Sequence, residues 1–182
     1  MQVDSLLVQT AGYFLALLFL VSGLHKAFDW RAFVATVDSY QLLPKLWRQG
    51  LAQAVALLLT LSEFTLALWL VIQPSSPWPG LMAAGLLTLY AAVMGLSLYR
   101  GHTNLHCGCS FSHRQTPLSF WHLLRNAVLI LLSLSLCLPQ TARVPDSLDM
   151  AQALVAALCL GVLYLVVDSL LANRRYIVEE VH

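Results

Sequence analysis

Five apolar runs, each long enough to cross a bilayer and separated by short polar breaks, fix the kind of fold open to this chain. A helix crosses the hydrocarbon core in roughly 20 residues. The runs lie at about 6–25, 51–72, 80–99, 118–138 and 150–171. Inside lipid no water satisfies the peptide groups, so each run must close its own hydrogen bonds as a helix. The expected fold is an all-α integral membrane bundle of five transmembrane helices in a single membrane domain. Only 10% of the 182 residues are charged, against about 25% in soluble domains. Mean hydropathy is +0.73. A net charge of +1 gives no basic surface for nucleic acid.

The breaks are legible. Pro74-Ser75-Ser76-Pro77-Trp78-Pro79 separates the second run from the third, and Pro139 to Asp149 separates the fourth from the fifth. Between the first two runs, Trp30, Phe33, Val37, Tyr40 and Leu43 recur at helical spacing, with Arg31, Lys45 and Arg48 among them. That pattern predicts a short helix over about 30–43 lying in the membrane interface. The first run lacks a basic start and a small-residue cleavage signature, so it reads as a retained helix. Trp30, Trp47, Trp69, Trp78 and Trp121 mostly stand near run ends, as an aromatic belt does, and His122 reads as interfacial too. Gly23 reads as a place for close helix approach.

Lys and Arg in the loops set orientation. Lys26, Arg31, Lys45, Arg48, Arg100, Arg114, Arg174 and Arg175 fall on one side, and Arg143 on the other. Arg125 lies inside the fourth run and is not counted. The charge rule puts the 100–117 loop and the C-terminus in the cytoplasm.

That loop holds the reactive-looking chemistry of the chain. Cys107 and Cys109 stand one residue apart in His106-Cys107-Gly108-Cys109. A bridge between them closes only a tight ring, which Gly108 relaxes. Strained, exposed disulfides exchange readily, and His106, His113 and Arg114 nearby favour the attacking thiolate. The competing readings are two free thiols or a metal site. His102, His106, Cys107, Cys109 and His113 contain a zinc-type ligand set. Against it, Cys-x-Cys is tighter than the usual ligand spacing and the histidines form no second pair. Cys137 and Cys159 fall in apolar runs at different depths, so they read as structural and unbridged.

Glu63, near the middle of the second run, is costly at that depth and marks a functional or structural polar core. Its candidate partners are Arg125 and Asn126 in the fourth run, or Lys26 and His25 at the end of the first. Asp168 caps this network or faces the interface. The functional version of this core is proton or quinone chemistry. The bland version is an ion pair that fixes helix packing.

These residues together resemble a family. The stretch from Phe19 to Asp29, Tyr40-Gln41-Leu42-Leu43-Pro44, Glu63, Cys107-Gly108-Cys109 and Leu124-Arg125-Asn126 are similar to the MauE methylamine-utilisation proteins, within the broader DoxX-like group. The likeness covers most of the chain. It departs after the second cysteine, where Ser110-Phe111-Ser112 replaces the Phe-Gly common in the family. The resemblance implies a multi-pass protein of the bacterial inner membrane. It implies a role in maturing methylamine dehydrogenase, whose small subunit is rich in disulfides and carries a tryptophan-derived quinone. Cys107 and Cys109 would then form or shuffle those bonds with a thioredoxin-like periplasmic partner. The implied role wants the dithiol at the periplasmic face, opposite to the charge rule. The DoxX likeness also admits a rival, a quinone-linked oxidoreductase subunit with Glu63 and Arg125 lining a quinone pocket. A non-catalytic membrane scaffold is the second rival.

Overall fold

A computed structural model describes residues 3–40, 48–100, 120–140 and 146–179. They form six helices: α1 (Ser5–Phe28), α2 (Trp30–Ser39), α3 (Arg48–Ile72), α4 (Pro77–Tyr99), α5 (Phe120–Ser135) and α6 (Ser147–Glu179). No strand occurs among the described residues, only an isolated bridge between Val3 and Gln140. The protein is a helical membrane bundle.

Four helices are long and apolar enough to cross a membrane: Ser5–Phe28, Gly50–Ile72, Pro77–Tyr99 and Ser147–Leu170. The fourth run of the sequence is α5, whose 16 residues rise about 24 Å at helical pitch. That is shorter than a hydrocarbon core of roughly 30 Å. Leu118 and the rest of 101–119 lie outside the described residues, and after Ser135 the chain leaves the helix in a turn.

Local chemistry sets the helix ends. Asp4 caps α1, its carboxylate accepting from the Leu6 amide at 3.0 Å. At Asp29 the backbone turns to φ −109°, ψ 49°, which separates α1 from the amphipathic α2. Helix α2 buries only Phe33 and packs on α3 and α1. The expected interfacial helix ran to residue 43, and residues 41–47 lie outside the described ones. Helix α4 begins at Pro77 rather than after Pro79. A helix tolerates proline in its first turn because those amides have no intrahelical acceptor anyway.

Helix α1 is the centre of the bundle and packs on α3, α5 and α6, while α4 packs on α5 and α3. Successive spanning helices run antiparallel, so α6 runs parallel to α1. A Cβ on Gly12 would lie 2.2 Å from the Pro74 carbonyl oxygen, and one on Gly23 would lie 3.3 Å from the Phe64 ring. A Cβ on Gly80 would come within 2.8 Å of Leu136 and of the Ser133 carbonyl oxygen. These glycines let helices and the 73–76 turn approach closely, which matters in lipid, where packing rather than the hydrophobic effect joins helices. The core they enclose includes Val8, Leu15, Phe19, Leu70, Ala83, Leu87 and Leu136. Outward leucines and valines on α3 and α6, such as Leu58, Leu68, Val162 and Leu170, are left for lipid.

The antiparallel order sorts the helix ends. The close of α1, the start of α3, the close of α4 and the start of α5 share one end of the bundle. Arg125, five residues into α5, meets Asp168 of α6, so α6 runs toward that same end.

Candidate functional site

Helix α3 buries one stripe: Ala52, Ala56, Thr60, Glu63, Leu66, Ala67 and Leu70. The spacing is that of a single helical face, and Glu63 is its one charged member. On α1 the facing stripe is Leu15, Phe19, Gly23 and Lys26. Lys26 sits one turn beyond Ser22, so both reach the same carboxylate.

Three donors converge on one oxygen. Lys26 Nζ pairs with Glu63 Oε1. Ser22 Oγ donates to Oε1 at 3.1 Å and Tyr90 OH, from α4, donates at 2.8 Å. Lys26 Nζ also lies 3.1 Å from Ser22 Oγ and 3.2 Å from Tyr90 OH. The ammonium stands 4.7 Å from the Tyr90 ring centroid and 5.2 Å from that of Phe33, within cation–π range. Glu63 and Lys26 are each 1% exposed. The second oxygen, Glu63 Oε2, is buried and has no hydrogen-bond partner among the described residues.

A second ion pair joins α5 and α6. Arg125 Nη1 of α5 meets Asp168 Oδ1 of α6 at 2.7 Å, with each side chain 9% exposed. The guanidinium carbon is 5.6 Å from the Tyr164 ring centroid. The four charges cancel, which suits a low-dielectric interior where an unpaired ion costs several kcal/mol.

A cavity of about 40 Å³ lies between the two pairs. Ser22, Glu63, Tyr90, Arg125 and Asn126 form its polar wall, and Leu15, Phe19, Leu87 and Leu129 are among its apolar lining. Five helices contribute to it. A buried water needs about 10–15 Å³ of such volume, and a benzene ring occupies an apolar cavity of ~150 Å³. The cavity therefore has room for a few waters.

Of the two partner sets open to Glu63 in the sequence, Lys26 is the one that meets it. Arg125 turns instead to Asp168, and Asn126 is buried on the cavity wall. His122, read as interfacial from its place near the start of its run, is 7% exposed and packed inside the bundle. It is one turn from Asn126, on the inward face of α5. Trp78 is exposed near its helix start, and Cys137 and Cys159 are free, exposed thiols. Cys107, Cys109, His102, His106 and His113 lie outside the described residues. The described residues hold no cluster of three His, Cys, Asp or Glu side chains able to grip a metal.

Ser22 and Tyr90 were missed as members of the polar core. Both left a signal. Ser22 precedes Lys26 by one helical turn, and Tyr90 stands mid-run rather than in an end belt, so its hydroxyl needs an internal partner.

No solved structure matches this chain. A protein of Paracoccus denitrificans described as methylamine utilization protein MauE is 35% identical over 84% of this chain and 80% of its own length. Proteins with that description from Paracoccus versutus and Methylophilus methylotrophus are 30% and 27% identical, over 83% and 91% of this chain. They cover 80% and 86% of their own lengths. The family model described as methylamine utilisation protein MauE matches residues 4–139, and that match spans the ion pair of α1 and α3, the dithiol segment and all of α5: the chain belongs to the MauE family of methylamine utilisation.

Proposed function

We propose that this membrane protein is a thiol–disulfide accessory of methylamine utilisation, in the bacterial inner membrane, acting in the maturation of methylamine dehydrogenase. The observation that carries the reading is a Cys-x-Cys pair with an intervening glycine in a MauE-family chain. One thiolate of Cys107 and Cys109 attacks a disulfide of a thioredoxin-like partner, and the other resolves the mixed disulfide. Two thiols become one disulfide, the partner's disulfide becomes two thiols, and the pair reverses this on the client small subunit. The helical bundle supports the reading in one respect. Helix α4 ends at Tyr99 and α5 begins at Phe120, so the dithiol segment joins two helix ends that are packed together.

The test is thiol alkylation with mass readout across a glutathione series, beside a Cys107→Ser/Cys109→Ser variant. The pair is expected to interconvert between dithiol and disulfide. The serine variant should leave the folded bundle in the membrane while the methylamine dehydrogenase small subunit accumulates with unpaired thiols. A pair that stays unbridged under every oxidising condition while zinc co-purifies in stoichiometric amount would overturn the redox reading in favour of the metal one. Normal maturation with both serines in place would leave a scaffold role instead.

A further inference from the structure

On the thiol–disulfide reading of Cys107 and Cys109, we propose that this pair is charged and discharged on a single face of the membrane. Both exchanges of its cycle are then made with proteins on that face, and no reducing equivalents pass through the bundle.

A chain that moves electrons between faces through thiols needs cysteines close enough to exchange disulfides with one another. Bridged cysteines hold their Cα atoms within about 7 Å. The chain has four cysteines, Cys107, Cys109, Cys137 and Cys159, so a relay beyond the pair has to run through Cys137 and Cys159. Both are free and exposed.

The helices hold these two at different levels. Cys137 stands in the turn after α5, its Sγ 3.7 Å from the Pro77 carbonyl oxygen. Two residues on, the Pro139 carbonyl accepts from the Val3 amide at 3.0 Å, which places that turn beside the start of α1. Cys159 lies on α6, two residues before Gly161, where a Cβ would come 2.7 Å from Leu17 Cδ2. From Ser5 to Leu17 helix α1 rises about 18 Å. The short offsets at each end leave Cys137 and Cys159 about 10 Å apart in depth. They are separated sideways too, since α6 packs on α1 while Cys137 lies against the start of α4. A second gap lies above Cys159. It is about 13 Å of helix from Asp168, which meets Arg125 near the start of α5. Sliding α6 far enough to close the first gap would pull Asp168 off Arg125 and strand both ions in a low-dielectric interior.

The electron balance therefore closes on one face. In charging, the two thiols of Cys107 and Cys109 become a disulfide as a partner's disulfide becomes two thiols. In discharging, the pair returns to two thiols as two client thiols become a disulfide. Each turn carries two electrons and two protons from client to partner and leaves the chain unchanged. The reaction that must feed the pair is thiol–disulfide exchange with a protein disulfide on its own face.

The test uses the full-length protein in sealed liposomes, beside a Cys137→Ser/Cys159→Ser variant. Impermeant maleimide on the reduced protein first gives the fraction of molecules whose pair faces outward. The pair is then oxidised, and glutathione, which does not cross the bilayer, is supplied either outside or trapped inside. Thiol state is read by alkylation and mass. Outside glutathione is expected to reduce the outward-facing fraction alone, trapped glutathione the remainder, and the variant should give the same fractions. Reduction of all pairs from one side, lost in the variant, would reveal a thiol relay and overturn the proposal. Reduction of all pairs from one side that persists in the variant would reveal another carrier through the bundle and overturn it equally. Failure of the redox reading shows separately, as a pair that forms no disulfide before any glutathione is added, and the proposal falls with it.

Discussion

Lys26 and Glu63 meet inside the bundle with each side chain 1% exposed, and the Tyr90 hydroxyl closes the pair by donating to the same carboxylate oxygen at 2.8 Å. A pair so placed is held by mutual need. Its formation repays little beyond the desolvation of two ions, but the loss of one member strands the other.

That asymmetry gives a mutational cycle. Lys26→Met alone should destabilise the bundle by about 3–5 kcal/mol, whereas Lys26→Met combined with Glu63→Met should recover most of the loss. Detergent-induced unfolding followed by circular dichroism measures both. A double variant as unstable as the single one would mean that Lys26 contributes through packing rather than charge.

Tyr90→Phe removes one donor from Glu63 and leaves the ring over Lys26. A hydrogen bond to a charged group is worth roughly 1.5–3 kcal/mol, so a loss within that range is expected in the same unfolding assay. Thr88→Val, on the same helix, is the contrast. Among the described residues its hydroxyl bonds only the Ala84 carbonyl one turn back, and it should cost much less.

Close backbone approach makes a third prediction. Gly12→Ala drives a Cβ into the Pro74 carbonyl, and Gly80→Ala drives one into α5. Each should cost about 1–3 kcal/mol, the usual range for overpacking. Gly85→Ala meets nothing within 4 Å and should be neutral or gain up to about 1 kcal/mol from helix propensity. Thermal aggregation onset in detergent ranks the three variants.

The order of helix ends yields a topological prediction. The segment bearing Cys107 and Cys109 connects the close of α4 to the start of α5, and α6 runs toward that end. Impermeant maleimide labelling of Cys107 and Cys109 in spheroplasts should therefore match protease access to a C-terminal tag. Cys137, exposed at the opposite end beside Pro77, should label from the other face in a Cys107→Ser/Cys109→Ser background. Opposite accessibility of the dithiol and the tag would mean that α5 or α6 does not cross. If both face outward, direct oxidation of a periplasmic client gains. If both face inward, that role is lost and the charge rule holds.

The helical membrane class was fixed by the sequence alone, because apolar runs of such length leave the backbone no other way to satisfy its hydrogen bonds in lipid. The breaks at Pro74–Pro79 and Pro139–Asp149 were legible for the same reason. The cost of an ion at depth marked Glu63 without any structure, and family membership rested on motifs that can be read in one dimension. Pairing was another matter. In the sequence Arg125 and Asn126 came before Lys26 and His25 as claimants to Glu63, since helices from both runs are able to face it. The bundle decided, by setting α1 against α3 so that Lys26 is level with Glu63, and α6 beside α5 so that Asp168 takes Arg125. Tyr90 and Ser22 joined the site through rotation of α4 and α1 about their axes, a quantity that nearly uniform apolar helices do not encode in their hydrophobic pattern. The cavity was invisible in the sequence for the same physical reason: it is the space that five packed helices fail to fill, and no one of them contains it.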